Sequence, residues 1–279
     1  MSFEVRRNQV VGVVGESGSG KSTLGKTIAR IYEPDEGRIL CDGGDVSHVK
    51  GKRLLDYRRK VQIVFQNPYS SLNPRRKVQS IIGDVIRLYG LENEISVHEC
   101  LEAVGLPKSY SERYPHQMSG GERQRVALAR VLALRPSLII ADEITSSLDV
   151  STQMQILKLL KEVREGYGLS ILFISHDVAV VNYISDKVLV MYGGKIVEEG
   201  LAGEVVKNPL HPYSQSLIES VPDPFIGWNP RIPDFDEEKK SVGCIYSSRC
   251  PFASEKCFAR HPDFVNRGDS HRIACYLYG

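Results

Sequence analysis

The 279-residue sequence predicts an α/β protein whose mostly parallel sheet is flanked by helices. Three short segments carry this prediction: Val10–Val14, Leu138–Asp142 and Ser170–Ser175. Each is rich in Val, Ile or Leu and is followed by a turn and a helix-like segment. Such continuous apolar runs are typical of strands that are buried on both faces of a parallel sheet.

The middle of the chain predicts a helical insertion in this sheet. Helical segments near Val78–Leu88 and Val97–Val104 are punctuated by prolines, and together they predict an insertion at about 67–118. After the third strand, Lys187–Met191 and Lys195–Val197 flank a Gly-Gly pair and predict a hairpin that closes the sheet.

The composition changes again near the C-terminus. From residue 211 the chain is rich in Pro, Trp, Asp and Cys, and residues 221–240 have the character of a linker. We therefore expect a main domain over residues 1–210 and a small cysteine-containing extension over residues 211–279.

Composition excludes several classes of function. The chain is 25% charged and 42% hydrophobic with a formal net charge of +2, so no basic field favours nucleic acid as a partner. No apolar run approaches the roughly eighteen residues of a membrane-spanning helix. Without a signal-peptide pattern at its start, the chain is expected in the cytoplasm.

Residues 15–22 read GESGSGKS and fit the phosphate-binding pattern G-x-x-x-x-G-K-S between a predicted strand and a helix predicted over Lys21–Ile31. Lys21 is expected to reach the β and γ phosphates of ATP, and the Ser22 hydroxyl to bind Mg²⁺. A glycine-rich turn without a ligand is the alternative, which the complete motif disfavours. The predicted nucleotide-binding residues are Gly15, Glu16, Ser17, Gly18, Ser19, Gly20, Lys21, Ser22 and Thr23.

Asp142 and Glu143 end a buried strand, at the edge of the sheet where doubly wound proteins bind ligands. Asp142 would hold Mg²⁺ directly or through water, and Glu143 would act as general base on the attacking water. Beside a phosphate loop, this prediction is favoured over a solvated strand end or a helix cap.

Residues 118–125 read MSGGERQR and predict a second anion site at the start of a helix over Gly121–Arg135. The chain cannot easily fold this turn onto its own phosphate loop, so it predicts ATP held between two subunits. The residues of this site are Ser119, Gly120, Gly121 and Glu122. A capping role for Ser119 is compatible with anion binding.

With these three motifs in this order, the chain resembles the ATPase subunit of an ABC transporter, a P-loop NTPase fold of the ABC ATPase type. The resemblance implies that Gln66 is the Q-loop glutamine and a Mg²⁺ ligand, and that Ser147 and Asp149 belong to the D-loop. It implies that His176 is the catalytic switch histidine. In isolation, such a Gln or His is ordinarily a solvated or satisfied polar residue.

The resemblance also implies partners. Segments FQNPYSSLNPR, RYPHQMSGGERQRVALAR and NPLHPYSQSLIESVP are similar to the oligopeptide/dipeptide importers, and within them to the second of two paired ATPases. A paired homologous ATPase (or a homodimer in isolation), two membrane permeases and an extracellular solute-binding protein are therefore expected, with no nucleic acid. Gln66–Arg75 and Glu112–Gln117 would meet the permeases at the cytoplasmic face of the membrane, where the chain is peripheral.

Other outcomes remain open within the resemblance: an oligosaccharide or nickel substrate, and a non-transport ABC ATPase. The sequence departs from the common family form at Ile144, Ser147 and Glu122. None of these departures removes a phosphate or metal ligand, so hydrolysis is still expected. Family members carry a further segment before the Ser2-Phe3-Glu4-Val5 strand, with an aromatic residue that stacks on adenine. Phe3 is expected to be a core strand residue instead.

Cys244, Cys250, Cys257 and Cys275 follow the spacing C-x₅-C-x₆-C-x₁₇-C, which lacks the close pairs of common zinc and ferredoxin sites. The resemblance implies a [4Fe–4S] cluster on these cysteines. Zn²⁺ and reduced or paired thiols are the alternatives.

Overall fold

The structure is a computed structural model that describes residues 1–66, 72–220, 242–268 and 270–279. The chain divides into two compact units. The first contains Met1–Glu4, Val10–Ser22 and Phe173–Gly279, and the second contains Val5–Gln9 and Thr23–Leu172. The predicted linker over 221–240 and residues 67–71 of the predicted insertion lie outside the described residues.

The first unit is built on a parallel strand pair that continues into antiparallel strands. β1 is buried along its whole length and pairs in parallel with β7, so that Val11 lies opposite Lys187. β7 and β8 form the predicted hairpin, and β8 pairs with β10, which pairs with β9. The strands are β1 (Val10–Val14), β7 (Lys187–Tyr192), β8 (Lys195–Leu201), β9 (Val265–Asn266) and β10 (Arg272–Ile273). C-terminal residues thus extend the same sheet that begins at β1.

The second unit contains the parallel pair β4 and β5, with Val61 opposite Leu138. β2 and β3 form a separate small antiparallel pair. β6 runs through the division at Leu172 and is buried throughout. The strands are β2 (Leu40–Cys41), β3 (Gly44–Asp45), β4 (Val61–Val64), β5 (Leu138–Asp142) and β6 (Ser170–Ile174). All three strands that the apolar runs predicted are confirmed.

Helices flank these strands in both units. In chain order they are α1 (Lys21–Ile28), α2 (Gly51–Lys60), α3 (Val78–Leu88), α4 (Val97–Glu102), α5 (Gly120–Leu132), α6 (Val150–Tyr167), α7 (Val178–Ile184), α8 (Ala202–Lys207), α9 (Pro212–Glu219) and α10 (Glu255–Ala259). Helix α7 lies so close to β1 at Gly12 that a Cβ on this residue would meet Val181 Cγ1 at 2.2 Å. None of the described helices combines the length and the apolar character that a membrane span needs.

The predicted helical insertion is present as α3, α4 and two 3₁₀ turns, Lys108–Glu112 and Pro115–Gln117. Helix α3 has the predicted bounds. Helix α4 ends two residues before Val104, because Gly105 adopts a left-handed φ of 67° and the Leu106 N–H donates to the Leu101 carbonyl. This is the hydrogen-bond pattern that closes many helices at glycine.

The N-terminal prediction was wrong. No strand includes Phe3, and its side chain is only partly buried. Farther along, Gln9 N–H donates to the Arg6 carbonyl and Arg6 N–H to Gln9 Oε1, so this stretch closes into a turn before β1 begins. Residues 2–5 therefore form no strand, and the sheet begins only after this turn, at Val10.

Candidate nucleotide site

The phosphate loop follows β1 and depends on its glycines. Gly15, Gly18 and Gly20 have φ values of 156°, 80° and 96°, a region that favours glycine. A Cβ on Gly15 would also meet the Met191 carbonyl oxygen at 2.1 Å. The tip of the loop, at Ser17 and Gly18, is exposed. The loop therefore has the backbone freedom and the open face that wrapping around phosphate groups requires.

Lys21 points into this loop. Its ammonium donates hydrogen bonds to the carbonyl oxygens of Gly15 at 2.7 Å and Glu16 at 2.8 Å, and the side chain approaches Ser19 Oγ at 3.4 Å. The residue is only 4% exposed. A buried cation inside a glycine-rich turn at a helix start is an arrangement suited to a phosphate group.

His176 lies in the same unit as the phosphate loop. Ser175 N–H donates to the Val13 carbonyl at 3.1 Å, so the end of β6 lies beside the end of β1. Ser175 Oγ accepts from Asp177 N–H at 3.0 Å, and the Asp177 carboxylate caps α7. His176 is exposed between these two anchored residues. An exposed imidazole at the phosphate-loop end of the strands fits the predicted γ-phosphate contact.

In the second unit, the acidic pair ends β5. Asp142 is 5% exposed, and Glu143 has a left-handed φ of 50°. Ser146 Oγ donates to the Glu143 carbonyl at 2.9 Å, and Gln66 Nε2 donates to Ser146 Oγ at 3.1 Å. Two residues that the sequence singled out, Gln66 and Glu143, are thus joined through Ser146. Strained backbone held by neighbours in this way is common at functional sites.

The MSGGERQR turn begins α5. Ser119 Oγ accepts from Glu122 N–H at 3.3 Å, while the Glu122 carboxylate accepts from Ser119 N–H at 2.7 Å. The Tyr110 hydroxyl also donates to Glu122 and, with the Ser119 amide, holds the Glu122 pKa below its usual range. Glu122, a departure from the common family form, is therefore one half of a capping box.

The second of the two glycines that follow this cap, Gly121, packs against α6. A Cβ on Gly121 would meet Thr152 Cγ2 at 2.4 Å. Thr152 is itself fixed by Asp149, whose carboxylate accepts from the Thr152 N–H at 3.0 Å and from its hydroxyl at 2.7 Å. These bonds to Thr152 also lower the Asp149 pKa. The predicted D-loop residue thus caps α6, and Ser147 beside it is exposed.

The stretch that was predicted to meet the permeases is held together by polar contacts. Lys77 Nζ lies 2.6 Å from Glu112 Oε2, and His116 Nδ1 lies 3.2 Å from the Pro74 carbonyl oxygen. Both contacts, one between side chains and one with a backbone carbonyl, are exposed. Residues 67–71 of this predicted contact lie outside the described residues, so the contact stays a prediction.

The four C-terminal cysteines line one cavity of about 90 Å³. All four are free thiols. Burial raises the pKa of Cys244 and Cys250, and raises that of Cys275 to about 11. Over the described ranges, no group of three or more His, Cys, Asp or Glu residues is arranged to hold a metal ion.

Comparison with known proteins decides the family. The model of the family described as "ABC transporter" matches residues 1–146. The chain belongs to this family. The model described as "Oligopeptide/dipeptide transporter, C-terminal region" matches residues 197–257 of this ABC protein.

Two relatives from Bacillus subtilis (strain 168) are similar over most of their length. This ABC protein is 44% identical to the oligopeptide transport ATP-binding protein AppF over 292 residues, which cover 100% of this chain and 88% of AppF. It is 47% identical to the oligopeptide transport ATP-binding protein OppF over 248 residues, which cover 87% of this chain and 78% of OppF.

Solved structures of ABC proteins are similar as well. CbiO1 from Clostridium perfringens, part of the ABC transporter complex cbiONQ, has a TM-score of 0.67 at 29% identity and covers 75% of this chain and 83% of its own. The ATP-binding cassette MJ0796, solved as a dimer with ADP and phosphate, has a TM-score of 0.62 at 29% identity and covers 72% and 88%. The predicted fold class is confirmed.

Two residues near the phosphate loop escaped sequence reasoning. Tyr213 accepts a hydrogen bond from the Glu16 N–H at 2.7 Å, and Arg249 forms an ion pair with the Glu16 carboxylate at 2.9 Å. Both residues come from the C-terminal extension, about two hundred positions after the loop. The one available signal was the position of Arg249 directly before Cys250 in the unusual cysteine segment.

Proposed function

We propose that this chain is the ATP-binding and ATP-hydrolysing subunit of an ABC importer of the oligopeptide/dipeptide type. The observation that carries the proposal is the complete phosphate loop with the buried Lys21 ammonium bonded to its carbonyls. The similarity of residues 197–257 to the oligopeptide/dipeptide transporter region supports the peptide class over oligosaccharide or nickel.

Each site residue has a role in this proposal. Lys21 and the loop amides bind the phosphates of ATP, and Ser22, Gln66 and Asp142 provide oxygen ligands suited to Mg²⁺. The bound metal ion would neutralise charge on the phosphates. Glu143 accepts a proton from the attacking water.

His176 contacts the γ-phosphate in this proposal. The Ser146 bond to the Glu143 carbonyl fixes the backbone that carries the base, and Gln66 reaches the same backbone through Ser146. Movement of Gln66 can therefore be transmitted to the residue that activates water.

A second ATPase completes each site. Ser119, Gly120 and Gly121 present the start of α5 to ATP held by the partner, and the partner's equivalent turn covers ATP on Lys21. The dimeric form of the similar MJ0796 cassette supports this arrangement. The partner is a homologous ATPase, and the pair works at the cytoplasmic face of the membrane with two permeases and a solute-binding protein.

Replacement of the proposed base tests the function. In a complex of this chain with its paired ATPase and permeases, Glu143→Gln is expected to lower ATP hydrolysis about a hundredfold or more while ATP stays bound. Glu165→Gln, on the exposed side of α6, serves as the control and should hydrolyse ATP normally. Unchanged hydrolysis in Glu143→Gln would contradict the role of this residue.

Purification of the native complex tests the partners. Recovery of permeases and a solute-binding protein supports the importer, and the bound solute identifies the substrate class. Recovery of DNA or ribosomes without membrane subunits would contradict it.

A [4Fe–4S] cluster or Zn²⁺ on the four cysteines is kept as a secondary proposal. It is supported by the cavity that all four thiols line. Iron, sulfide and zinc analysis after anaerobic purification decides the matter. Stoichiometric iron and sulfide support the cluster, zinc alone supports Zn²⁺, and the absence of all three contradicts both.

A further inference from the structure

We propose that Arg249 is a positioning residue for nucleotide binding, which acts by holding and neutralising Glu16 of the phosphate loop. The inference rests on the proposed binding of ATP at residues 15–22. It makes the C-terminal extension a working part of the nucleotide site.

Arg249 grips Glu16 with two parallel bonds. Its Nη1 donates to Glu16 Oε2 at 2.9 Å, and its Nη2 donates to Glu16 Oε1 at 3.2 Å. The Arg249 side chain is 12% exposed and that of Glu16 is 43% exposed. Because the pair is bidentate and its cation is largely shielded from water, it is stronger than an ordinary surface ion pair.

Aromatic rings fix the guanidinium in this position. Its carbon lies 5.8 Å from the ring centroid of Tyr192 and 5.8 Å from that of Tyr246. Tyr192 and Tyr246 meet edge to face, with their centroids 5.2 Å apart. Contacts with two ring systems leave the guanidinium few alternative rotamers.

The backbone of Glu16 is held from the same region. Its N–H donates to the Tyr213 hydroxyl at 2.7 Å, and the Tyr213 ring lies 4.6 Å from Tyr192. Tyr213 is 1% exposed. Both the amide and the carboxylate of one loop residue are thus bonded to the C-terminal extension.

This arrangement matters because Glu16 places a negative charge inside a loop that has to bind a polyphosphate. The carbonyl of Glu16 also accepts a hydrogen bond from Lys21 Nζ. A displacement of Glu16 would therefore displace one of the groups that hold the Lys21 ammonium in the loop. Arg249 offsets the charge and holds the residue in place. Without Arg249, the carboxylate repels the phosphates and the loop loses one of its anchors.

Affinity for a fluorescent ATP analogue with Mg²⁺, measured on the full-length chain, tests the proposal. We expect Arg249→Ala to weaken binding about tenfold. Arg249→Lys should weaken it less, because lysine keeps the positive charge but cannot form the bidentate pair of hydrogen bonds with the Glu16 carboxylate. Arg260→Ala is the matched control, since Arg260 forms an exposed ion pair with Asp263 in the same extension. Its affinity should equal that of the wild type.

A double-mutant cycle separates positioning from packing. If Arg249 acts by neutralising Glu16, its replacement should matter little once Glu16→Ala has removed the charge, so the double variant should bind better than Arg249→Ala alone. A full tenfold loss in the Glu16→Ala background would overturn the proposal. Arg249→Met, which keeps the contacts with the tyrosine rings, replaces Arg249→Ala if that variant does not fold.

Lys21→Ala distinguishes failure of this inference from failure of the proposed function. If the wild type does not bind, or if Lys21→Ala binds as well as the wild type, the nucleotide site itself is refuted and the inference with it. If Lys21→Ala loses binding and Arg249→Ala does not, only the role of Arg249 is overturned.

Discussion

Acid should destabilise this protein through one buried histidine, His211. The residue is 1% exposed, and its Nδ1 accepts a hydrogen bond from the Tyr213 N–H at 3.0 Å, which caps α9. Burial lowers the pKa of His211 to about 3, and the positive charge of nearby His261 acts in the same direction. A nitrogen that accepts a hydrogen bond cannot carry a proton, so the fold requires the neutral imidazole.

The size of the effect follows from linkage. The unfolded chain has a histidine pKa of about 6.5, so the stability that neutral His211 contributes is complete above that pH and is lost as pH falls toward the folded value. With a folded pKa of about 3, lowering the pH from about 7 to about 5 removes roughly 2 kcal/mol. That is a sizeable part of the 5–15 kcal/mol, approximately, by which proteins are stable.

Urea unfolding at both pH values measures this loss. His211→Asn is the test variant, because an asparagine side chain also caps helix starts but does not titrate in this range. The wild type should lose about 2 kcal/mol more than His211→Asn between the two pH values. His98→Asn, an exposed position on α4, is the control and should behave as the wild type. Equal losses in the wild type and in His211→Asn would refute the reasoning.

Three further predictions concern other sites. Gly121→Ala should lower the free energy of unfolding by about 2 kcal/mol in urea titrations, because its Cβ would meet Thr152 Cγ2 at 2.4 Å. Gly120→Ala should lower it clearly less, because its Cβ would lie 3.2 Å from the flexible side chain of Leu148. Equal losses in the two variants would contradict the packing argument. Ser146→Ala should lower kcat about tenfold with little change in KM for ATP in steady-state assays, because the Glu143 carbonyl loses its hydrogen bond from the Ser146 hydroxyl. An increase in KM alone would argue against a role of Ser146 in hydrolysis. Cys275, with its pKa raised to about 11 by partial burial, should react with iodoacetamide about a hundredfold more slowly in the folded than in the unfolded chain near neutral pH. Mass spectrometry of labelled peptides measures the two rates, and equal rates would contradict the raised pKa.

Sequence was sufficient for the parts of the site that depend on local pattern. The conformation of the phosphate loop could be predicted because it depends on its own glycines, which take positive φ values that other residues avoid. Asp142 ends β5 as the apolar run predicted. In both cases, the residues that determine the conformation are within a few positions of the residue that does the chemistry.

Sequence was insufficient where the partner is distant along the chain. The hydrogen bond from Gln66 to Ser146, which links Gln66 to Glu143, joins residues eighty positions apart. No periodicity in the sequence specifies such a bond. The pairing of Arg249 with Glu16 spans 233 positions. The prediction for Phe3 was wrong for a different reason, because it came from the family resemblance, and four residues are too few for their own pattern to distinguish a strand from an extended segment.

The C-terminal extension is bonded to the rest of its unit at Glu198 as well as at Glu16, and this limits how the role of Arg249 can be tested. Glu198, which is fully buried on β8, accepts from the backbone N–H groups of Leu210 and His211 at 2.8 and 2.9 Å and lies 2.7 Å from His271 Nε2. A buried carboxylate that lost these partners would be strongly destabilising. The predicted boundary between residues 210 and 211 remains a prediction. A cut there would take His211 and His271 away from Glu198, and Tyr213 and Arg249 away from Glu16. Substitution of single side chains is therefore the sound way to separate the extension's effect on ATP from its effect on folding.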